Sequence, residues 1–249
     1  MSDTDTAATS AQIFRDIGQA QVQPANTPFQ SPTALAVSLT IALVVKAMLS
    51  LGQLVGVVMR VKVLNDAETL GAVVSTLQPQ ARLADGVVAL TGGVGLFVLI
   101  ACYVIGGMWL YRAAQNVRAL GAKGLVTSPG WAIGFFAVPV MNWFRPLLAM
   151  SEIWRASHSP DGWRSRPMPP LLGYWWAGWV TTGLVGYVVY AGSKTGNGIP
   201  TRLAMNQISV LDLALELITM GLFLAIVWRV TRAQQTTRQI AQQVAETFA

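Results

Sequence analysis

The chain has 249 residues, of which 53% are hydrophobic and only 11% are charged. Soluble domains carry about 25% charged residues, so this composition indicates a membrane protein. The formal net charge of +6 comes from 17 Lys and Arg residues that are scattered between apolar runs. Because they form no basic cluster, we expect no nucleic-acid partner. A single cysteine and a single histidine exclude an intrachain disulfide and a Cys- or His-based metal cluster.

The N-terminal sequence "MSDTDTAATSAQIFRDIG" is polar and acidic. It lacks the basic region and the apolar region that make up a signal peptide. We therefore predict that residues 1–32 form a polar N-terminal tail.

Four apolar runs are long enough to cross a membrane, because a spanning helix needs about 20 residues to cover about 30 Å of hydrocarbon. They do not alternate as barrel strands do, so they are predicted to be helices. Residues 33–230 are thus predicted to form a helical membrane domain, and residues 231–249 a cytoplasmic helical tail. The runs are 33–59, 86–111, 171–191 and 208–230.

Three ionisable residues lie inside these runs: Lys46, Asp212 and Glu216. A lone charge in the hydrocarbon costs at least about 2.5 kcal/mol, so pairing is expected. If the first and last spans are antiparallel, Lys46 and Glu216 fall at nearly the same depth, about 18–19 Å from the inner face. We predict that they face each other, with Asp212, one turn outward, as the second choice. The alternative is that Lys46 faces a water cavity or snorkels.

A fifth apolar segment, 128–157, is interrupted near its centre by Pro139, Asn142, Arg145 and Pro146. Ser128 is a good N-cap, and the proline after it suits a first helical position. A helix is predicted to end at residue 138, because a proline disfavours helix in the residue before it.

A second helix is predicted from residue 146 to residue 156. The backbone between the two helices would need polar partners, and the Asn142 amide is expected to supply them. These features favour a Pro-broken re-entrant or interfacial helix pair. The alternative is one kinked helix that spans the membrane. Independently of the topology, Arg145 is expected to snorkel to phosphates or pair with Glu152, unless it belongs to a functional site.

The distribution of basic residues distinguishes these topologies. A four-span model with the N-terminus inside places ten Lys and Arg residues in the cytoplasm and five outside. The best five-span model gives nine against six. The positive-inside rule therefore favours four spans with both termini in the cytoplasm. Most tryptophans then also lie near the cytoplasmic interface. This one-sided distribution indicates that the cytoplasmic face has a structural or binding role beyond anchoring the protein in the membrane.

The central part of the chain carries several short motifs. They are "RALGA" at 118–122, "SPGWA" at 128–132, P-x-x-N-x-x-R-P at 139–146, "EIWRAS" at 152–157 and a Trp-rich helix start at 171–179. With them, the region 109–232 resembles the bacterial membrane proteins grouped as domain of unknown function family 4328. The resemblance implies a multi-pass protein of the bacterial inner membrane and implies no activity.

The sequence carries no motif that is typical of catalysis or cofactor binding. There is no P-loop, and "GGVG" at 92–95 lies within an apolar run. His158 stands in "SHSPDG", where neighbouring residues rarely form a catalytic triad. Asp212 and Glu216 are one helical turn apart but lack a further metal ligand. We predict no catalytic residue, no metal and no cofactor.

The sequence therefore predicts a non-enzymatic integral membrane protein that binds or organises a protein partner through a Trp- and Arg-rich cytoplasmic face. Other expected contacts are the lipid bilayer and a possible second copy of the chain. The alternative is a small transporter or channel component, working as an oligomer, with broken helix 139–146 and the intramembrane charges as its site. A lipid-modifying enzyme ranks third. The candidate binding residues are Asn142, Arg145, Glu152, Trp154, Arg155, Trp131, Trp175 and Trp176.

Overall fold

The computed structural model describes residues 28–69, 74–195 and 198–247. Within these ranges the protein is all-helical, with 86% helix and no strands. Six α-helices follow each other along the chain. They are α1 (Thr33–Thr69), α2 (Val74–Ala119), α3 (Pro129–Gly134), α4 (Arg145–His158), α5 (Pro170–Thr195) and α6 (Ile199–Thr247).

The connection expected between the first two runs is mostly helical. Both α1 and α2 continue well beyond their apolar runs, and α2 includes Pro79 near its start. Pro79 is the sixth residue of α2, so it removes one i→i−4 hydrogen bond near the start of a helix that continues for 40 further residues. At its other end α2 stops before Gly121, which has a φ of 91° that favours glycine.

The four long helices lie side by side in the order α2, α1, α6, α5. Helix α1 packs on both α2 and α6, and α5 packs on α6. Gly52 and Gly56 of α1 are four residues apart and face α2: a Cβ added at Gly56 would lie 2.7 Å from the Val88 side chain, and one at Gly52 would lie 3.0 Å from Thr91. This spacing of glycines lets α1 and α2 pack closely within the chain.

Successive long helices run in opposite directions. The backbone of Gln30, just before α1, bonds to Asn116 near the end of α2. Gln235, late in α6, bonds to Thr33 at the start of α1. The residues just before α1, the end of α2 and the later part of α6 therefore lie at the same end of the bundle, which we call the capped end because α3 and α4 also lie there.

The core at the capped end is built around α4, which contacts α2, α5 and α6. Trp109 is fully buried and donates a hydrogen bond of 3.0 Å from Nε1 to Thr231 Oγ1. A set of buried side chains from four helices surrounds it, including Val117, Met150, Leu172, Ile226 and Val230.

A buried polar network joins the same helices. Gln234 donates to the Ala113 carbonyl (2.9 Å) and to Ser157 Oγ (3.0 Å), and accepts from Asn116 Nδ2 (3.0 Å). Asn116 also exchanges two hydrogen bonds with the Gln30 backbone. Each donor hydrogen of the two amides is used, so the network links α2, α4 and α6 without leaving either amide group unpaired.

Candidate functional site

The Pro-broken segment between residues 128 and 158 folds as a helix pair. Ser128 caps α3 as predicted, accepting from the Trp131 amide at 3.3 Å. Helix α3 ends at Gly134, four residues earlier than predicted, and the chain continues in tight i→i−3 turns. A short 3-10 turn, Met141–Trp143, then leads into α4.

Neither helix of the pair is long enough to span a bilayer. Helix α3 has 6 residues and α4 has 14, whereas about 20 are needed. The segment stays beside the capped end: a Cβ at Gly107 of α2 would lie 3.6 Å from Ile133, and Trp176 Nε1 of α5 donates to the Trp143 carbonyl at 3.1 Å.

Glu152 is the residue that holds this segment in place. It is only 5% exposed, and its two carboxylate oxygens accept from the backbone amides of Val126 and Thr127, the latter at 3.0 Å. The ion pairs among the described residues are Lys46–Glu216 and Arg60–Asp85. Glu152 therefore fixes the loop before α3, and the interpretation that it pairs with Arg145 is wrong.

Arg145 lies between aromatic rings. Its guanidinium carbon is 5.6 Å from the Phe135 ring centre and 6.0 Å from that of Phe144. Its Nε atom is buried and has no hydrogen-bond partner. The side chain lines a groove of about 300 Å³ together with the loop 126–128 and Trp131, Phe135 and Met141. A cation held this way can attract an anionic or aromatic group.

The prediction for Asn142 is wrong. The residue is half-buried, and its Oδ1 atom is buried without a hydrogen-bond partner. The backbone did not need this amide, because the Asn142, Trp143 and Phe144 amides bond to carbonyls three or four residues earlier. The 3-10 turn thus satisfies locally the groups that the sequence analysis assigned to the side chain.

The remaining candidates divide into buried and accessible residues. Trp175 and Trp176 are 4% and 7% exposed and belong to the core. Trp154 is half-buried and stacks on His158, with ring centres 4.9 Å apart. Arg155 lies 5.2 Å from the Trp163 ring centre. Trp131 is 53% exposed and stacks on Phe135.

Several exposed apolar residues line the groove at Arg145 or stand close to Arg145 in the chain, and most of them were not predicted from the sequence. Together with Arg145 we call them the aromatic–arginine face: Val126, Trp131, Val140, Met141, Trp143, Phe144 and Leu148. The sequence contained a feature that could have indicated these residues: the aromatic run next to the P-x-x-N-x-x-R-P motif. Sequence could not tell which of these side chains would point outward.

The predicted contact between Lys46 and Glu216 is confirmed. Lys46 Nζ lies 2.6 Å from Glu216 Oε1 and 2.7 Å from Ser50 Oγ, and Ser50 Oγ donates to Glu216 Oε2 at 3.1 Å. Ser50 was missed by the sequence analysis, although it stands one turn from Lys46. Asp212 lies apart: its Oδ1 atom is buried without a partner, and its Oδ2 faces Gly186 of α5.

The two sites are not connected by either groove described for this chain. The groove at Arg145 is lined by neither Asn142 nor any of the three intramembrane charges, and the same holds for a larger groove on α2. Within the described ranges, no group of three His, Cys, Asp or Glu side chains is placed to hold a metal ion.

Three helices, α1, α2 and α6, are long and apolar enough to cross a membrane by length and composition. Helix α5 has 26 residues, but Trp, Tyr and Gly dilute its apolar composition, and it is not one of the three. The fold and the site therefore define an all-helical membrane protein with a broken helix pair at one end of its long helices.

The chain belongs to the family described as a domain of unknown function, DUF4328, whose profile matches residues 72–232. The match begins earlier than the motifs suggested, so it includes all of α2. Helix α1, with Lys46 and Ser50, lies before it. No curated protein and no solved structure matches the chain.

Proposed function

We propose that the protein is a four-span, multi-pass protein of the bacterial inner membrane, with α1, α2, α5 and α6 as spans. The 26 residues of α5 cover about 39 Å, which exceeds the hydrocarbon thickness of about 30 Å. The alternating helix directions and the basic residues at the capped end support a cytoplasmic location of this end and of both termini. Helices α3 and α4 then form an interfacial or shallow re-entrant pair.

The proposed role is non-enzymatic: the aromatic–arginine face binds or organises a protein partner. The observation that carries this proposal is that the face is exposed although the backbone beneath it is fixed. Val140 is 74% and Trp143 is 54% exposed, while Glu152 and Trp176 hold the segment by hydrogen bonds to its backbone. A preorganised surface of aromatic residues around an arginine is the usual composition of a binding hot spot.

The chemistry of the face indicates the kind of partner. Arg145 has no acidic partner among the described residues, so a partner carboxylate near it would form a new charge-assisted contact. The exposed rings would bury apolar surface around that contact. We therefore propose a partner with an acidic side chain surrounded by apolar residues. A possible second copy of this chain is one such partner.

Site-specific photo-crosslinking in membranes tests this role. A photoreactive amino acid at Val140 should give one adduct of defined mass, and the same amino acid at Tyr187, which is 70% exposed on α5, should not. Arg145→Ala should lower the yield of that adduct severalfold, whereas the matched change Arg229→Ala on exposed α6 surface should not. Identical crosslinks from both positions, or none from Val140, would count against the proposal.

A second candidate, a transporter or channel component, is supported by the polar cluster Lys46, Ser50 and Glu216 together with unpartnered Asp212. Charges and polar groups at this depth mark ion pathways in transporters. A four-span chain would need an oligomer to form such a pathway. Proteoliposomes loaded with a pH-sensitive dye test it: proton flux that Asp212→Asn abolishes would support transport, and the absence of flux from the unaltered protein would reject proton transport.

A further inference from the structure

A second groove, separate from the aromatic–arginine face, runs along the outer side of α2. It has a volume of about 590 Å³, within the range of about 300–1,000 Å³ that is usual for small-molecule sites. Leu35 of α1 and Ile133 of α3 form its two walls, and Gly107 of α2 lies in its floor. It shares no lining residue with the groove at Arg145.

The lining changes from apolar to polar along the groove. Tyr103, Val104 and Met108 line one part, and Arg112 and Gln115 line the other, with Gln30. From residue 103 to residue 115 the helix rises about 18 Å. The change falls at Arg112, the first charged residue after the apolar run 86–111 of α2. The polar part of the groove thus lies at the predicted membrane surface and the apolar part lies inside the hydrocarbon.

Arg112 is available to a ligand. It is half-buried at the groove, and neither ion pair among the described residues involves it. By contrast Arg118, two turns further on, donates to the carbonyls of Ala114 and Thr127. The groove therefore presents an uncompensated cation at the depth where lipid phosphates lie.

We propose that this groove binds one anionic glycerophospholipid of the surrounding bilayer. An acyl chain lies along α2 between Tyr103 and Met108, and the phosphate lies beside Arg112. Along the groove, apolar side chains come first, followed by a cation and amide groups. This order matches a membrane lipid, because the bilayer holds its acyl chain and its headgroup at these two depths. A soluble anion would not use the apolar part. The inference is independent of the proposed partner-binding role.

Native mass spectrometry of the full-length protein in mild detergent tests this site. The probes are phosphatidylglycerol and phosphatidylcholine with the same acyl chains, and inorganic phosphate as competitor. One phosphatidylglycerol should be retained in preference to phosphatidylcholine. A basic residue near an anionic lipid surface contributes about 1 kcal/mol, so Arg112→Gln should weaken phosphatidylglycerol binding about fivefold. Phosphatidylcholine binding should weaken less, because its choline cation already offsets the charge of its phosphate.

Two control pairs make the test specific. Arg229→Gln removes an exposed arginine from α6 that lines neither groove, and it should leave lipid binding unchanged. In Gly107→Leu the Cβ would meet Ile133 at an ordinary 3.6 Å, so the rest of the side chain enters the groove and should displace both lipids. Gly93→Leu, at a position on α2 with open space around it, should displace neither.

Equal retention of the two lipids by the unaltered protein would overturn the proposal. So would equal effects of Arg112→Gln and Arg229→Gln, or displacement of phosphatidylglycerol by inorganic phosphate. Thermal melting of each lipid-free variant checks that it is folded. If Gly107→Leu does not fold, the comparison of the two arginine variants decides.

Discussion

The residue scale is where the membrane environment acts most directly on this chain. Lys46 is 7% exposed in the middle of an apolar helix, and its charge is met by one carboxylate and one hydroxyl. An uncompensated charge in that place would cost several kcal/mol. The pair therefore constrains how α1 and α6 can be placed relative to each other.

A double-mutant cycle should measure this coupling. Lys46→Met and Glu216→Gln should each lower the free energy of unfolding by about 3–5 kcal/mol, since each leaves a charged group at membrane depth without its partner. Together they should cost less than the sum, measured by denaturation in mixed micelles. The exposed pair Arg60–Asp85 is the control, and its coupling should be below about 1 kcal/mol. Strict additivity for Lys46 and Glu216 would show that the two charges do not interact.

Fully buried Gln234 and half-buried Asn142 should respond differently to replacement by leucine. Gln234→Leu should lower the free energy of unfolding by about 1–3 kcal/mol, because Asn116, Ser157 and the Ala113 carbonyl would each lose a hydrogen bond. Asn142→Leu should be close to neutral or stabilising, because its Oδ1 is already without a partner. Melting temperatures in detergent compare the two. A larger loss for Asn142→Leu than for Gln234→Leu would contradict the assignment.

At the scale of elements, the broken helix pair depends on contacts that hold its backbone from outside. Neither α3 nor the 3-10 turn has the length to be stable alone, since isolated short helices are marginal in water. Glu152 fixes the entry to α3, and Trp176 fixes the exit from the 3-10 turn. The aromatic–arginine face is therefore rigid only while these two contacts persist.

Glu152→Ala should loosen this segment selectively. It leaves the Val126 and Thr127 amides without an acceptor, and hydrogen bonds to a charged group contribute about 1.5–3 kcal/mol. Hydrogen exchange at residues 122–134 should become faster, while exchange in α6 near Ile226 should not change. Unaltered exchange in the loop would mean that the carboxylate is not what holds it.

At the scale of the whole molecule, the order of the long helices leaves α2 and α5 at the two edges of the row. Helix α4 fills the space between them at the capped end, where it contacts both. Helix α6, with 49 residues, extends about 74 Å and projects beyond this end. Residues 239–247 are exposed, whereas Thr231 and Gln234 are fully buried, so α6 stays packed on the bundle for some residues beyond its apolar run.

Reporter fusions test the topology. Fusions at Met1 and Ala249 should both report the cytoplasm, because four antiparallel spans return the chain to its starting side. An insertion at residues 196–197, between α5 and α6, should report the opposite side. Opposite readings from the two termini would reject the four-span arrangement.

The sequence by itself determined the class of protein and its strongest long-range contact. Apolar runs of more than 20 residues leave helices as the means of satisfying the backbone in a membrane. Because a helix rises by a fixed 1.5 Å per residue, the depth of a residue in the membrane can be calculated from its position in the sequence. This calculation placed Lys46 and Glu216 at nearly the same depth and so predicted their contact. The motifs of the broken segment were also sufficient to identify the family.

Only the tertiary structure decided which side chains of the capped end are exposed. Trp176 and Trp131 are the same residue type in similarly aromatic sequence, yet one is 7% and the other 53% exposed. The difference arises because Trp176 is covered by the segment between α3 and α4, where it packs on the Phe136 ring and bonds to the Trp143 carbonyl. No local pattern encodes this packing. The prediction for Asn142 was wrong for a related reason: the 3-10 turn pairs the backbone amides that the Asn142 side chain was expected to bond. Composition and periodicity fix what a residue prefers, whereas its neighbours in space fix what it contacts.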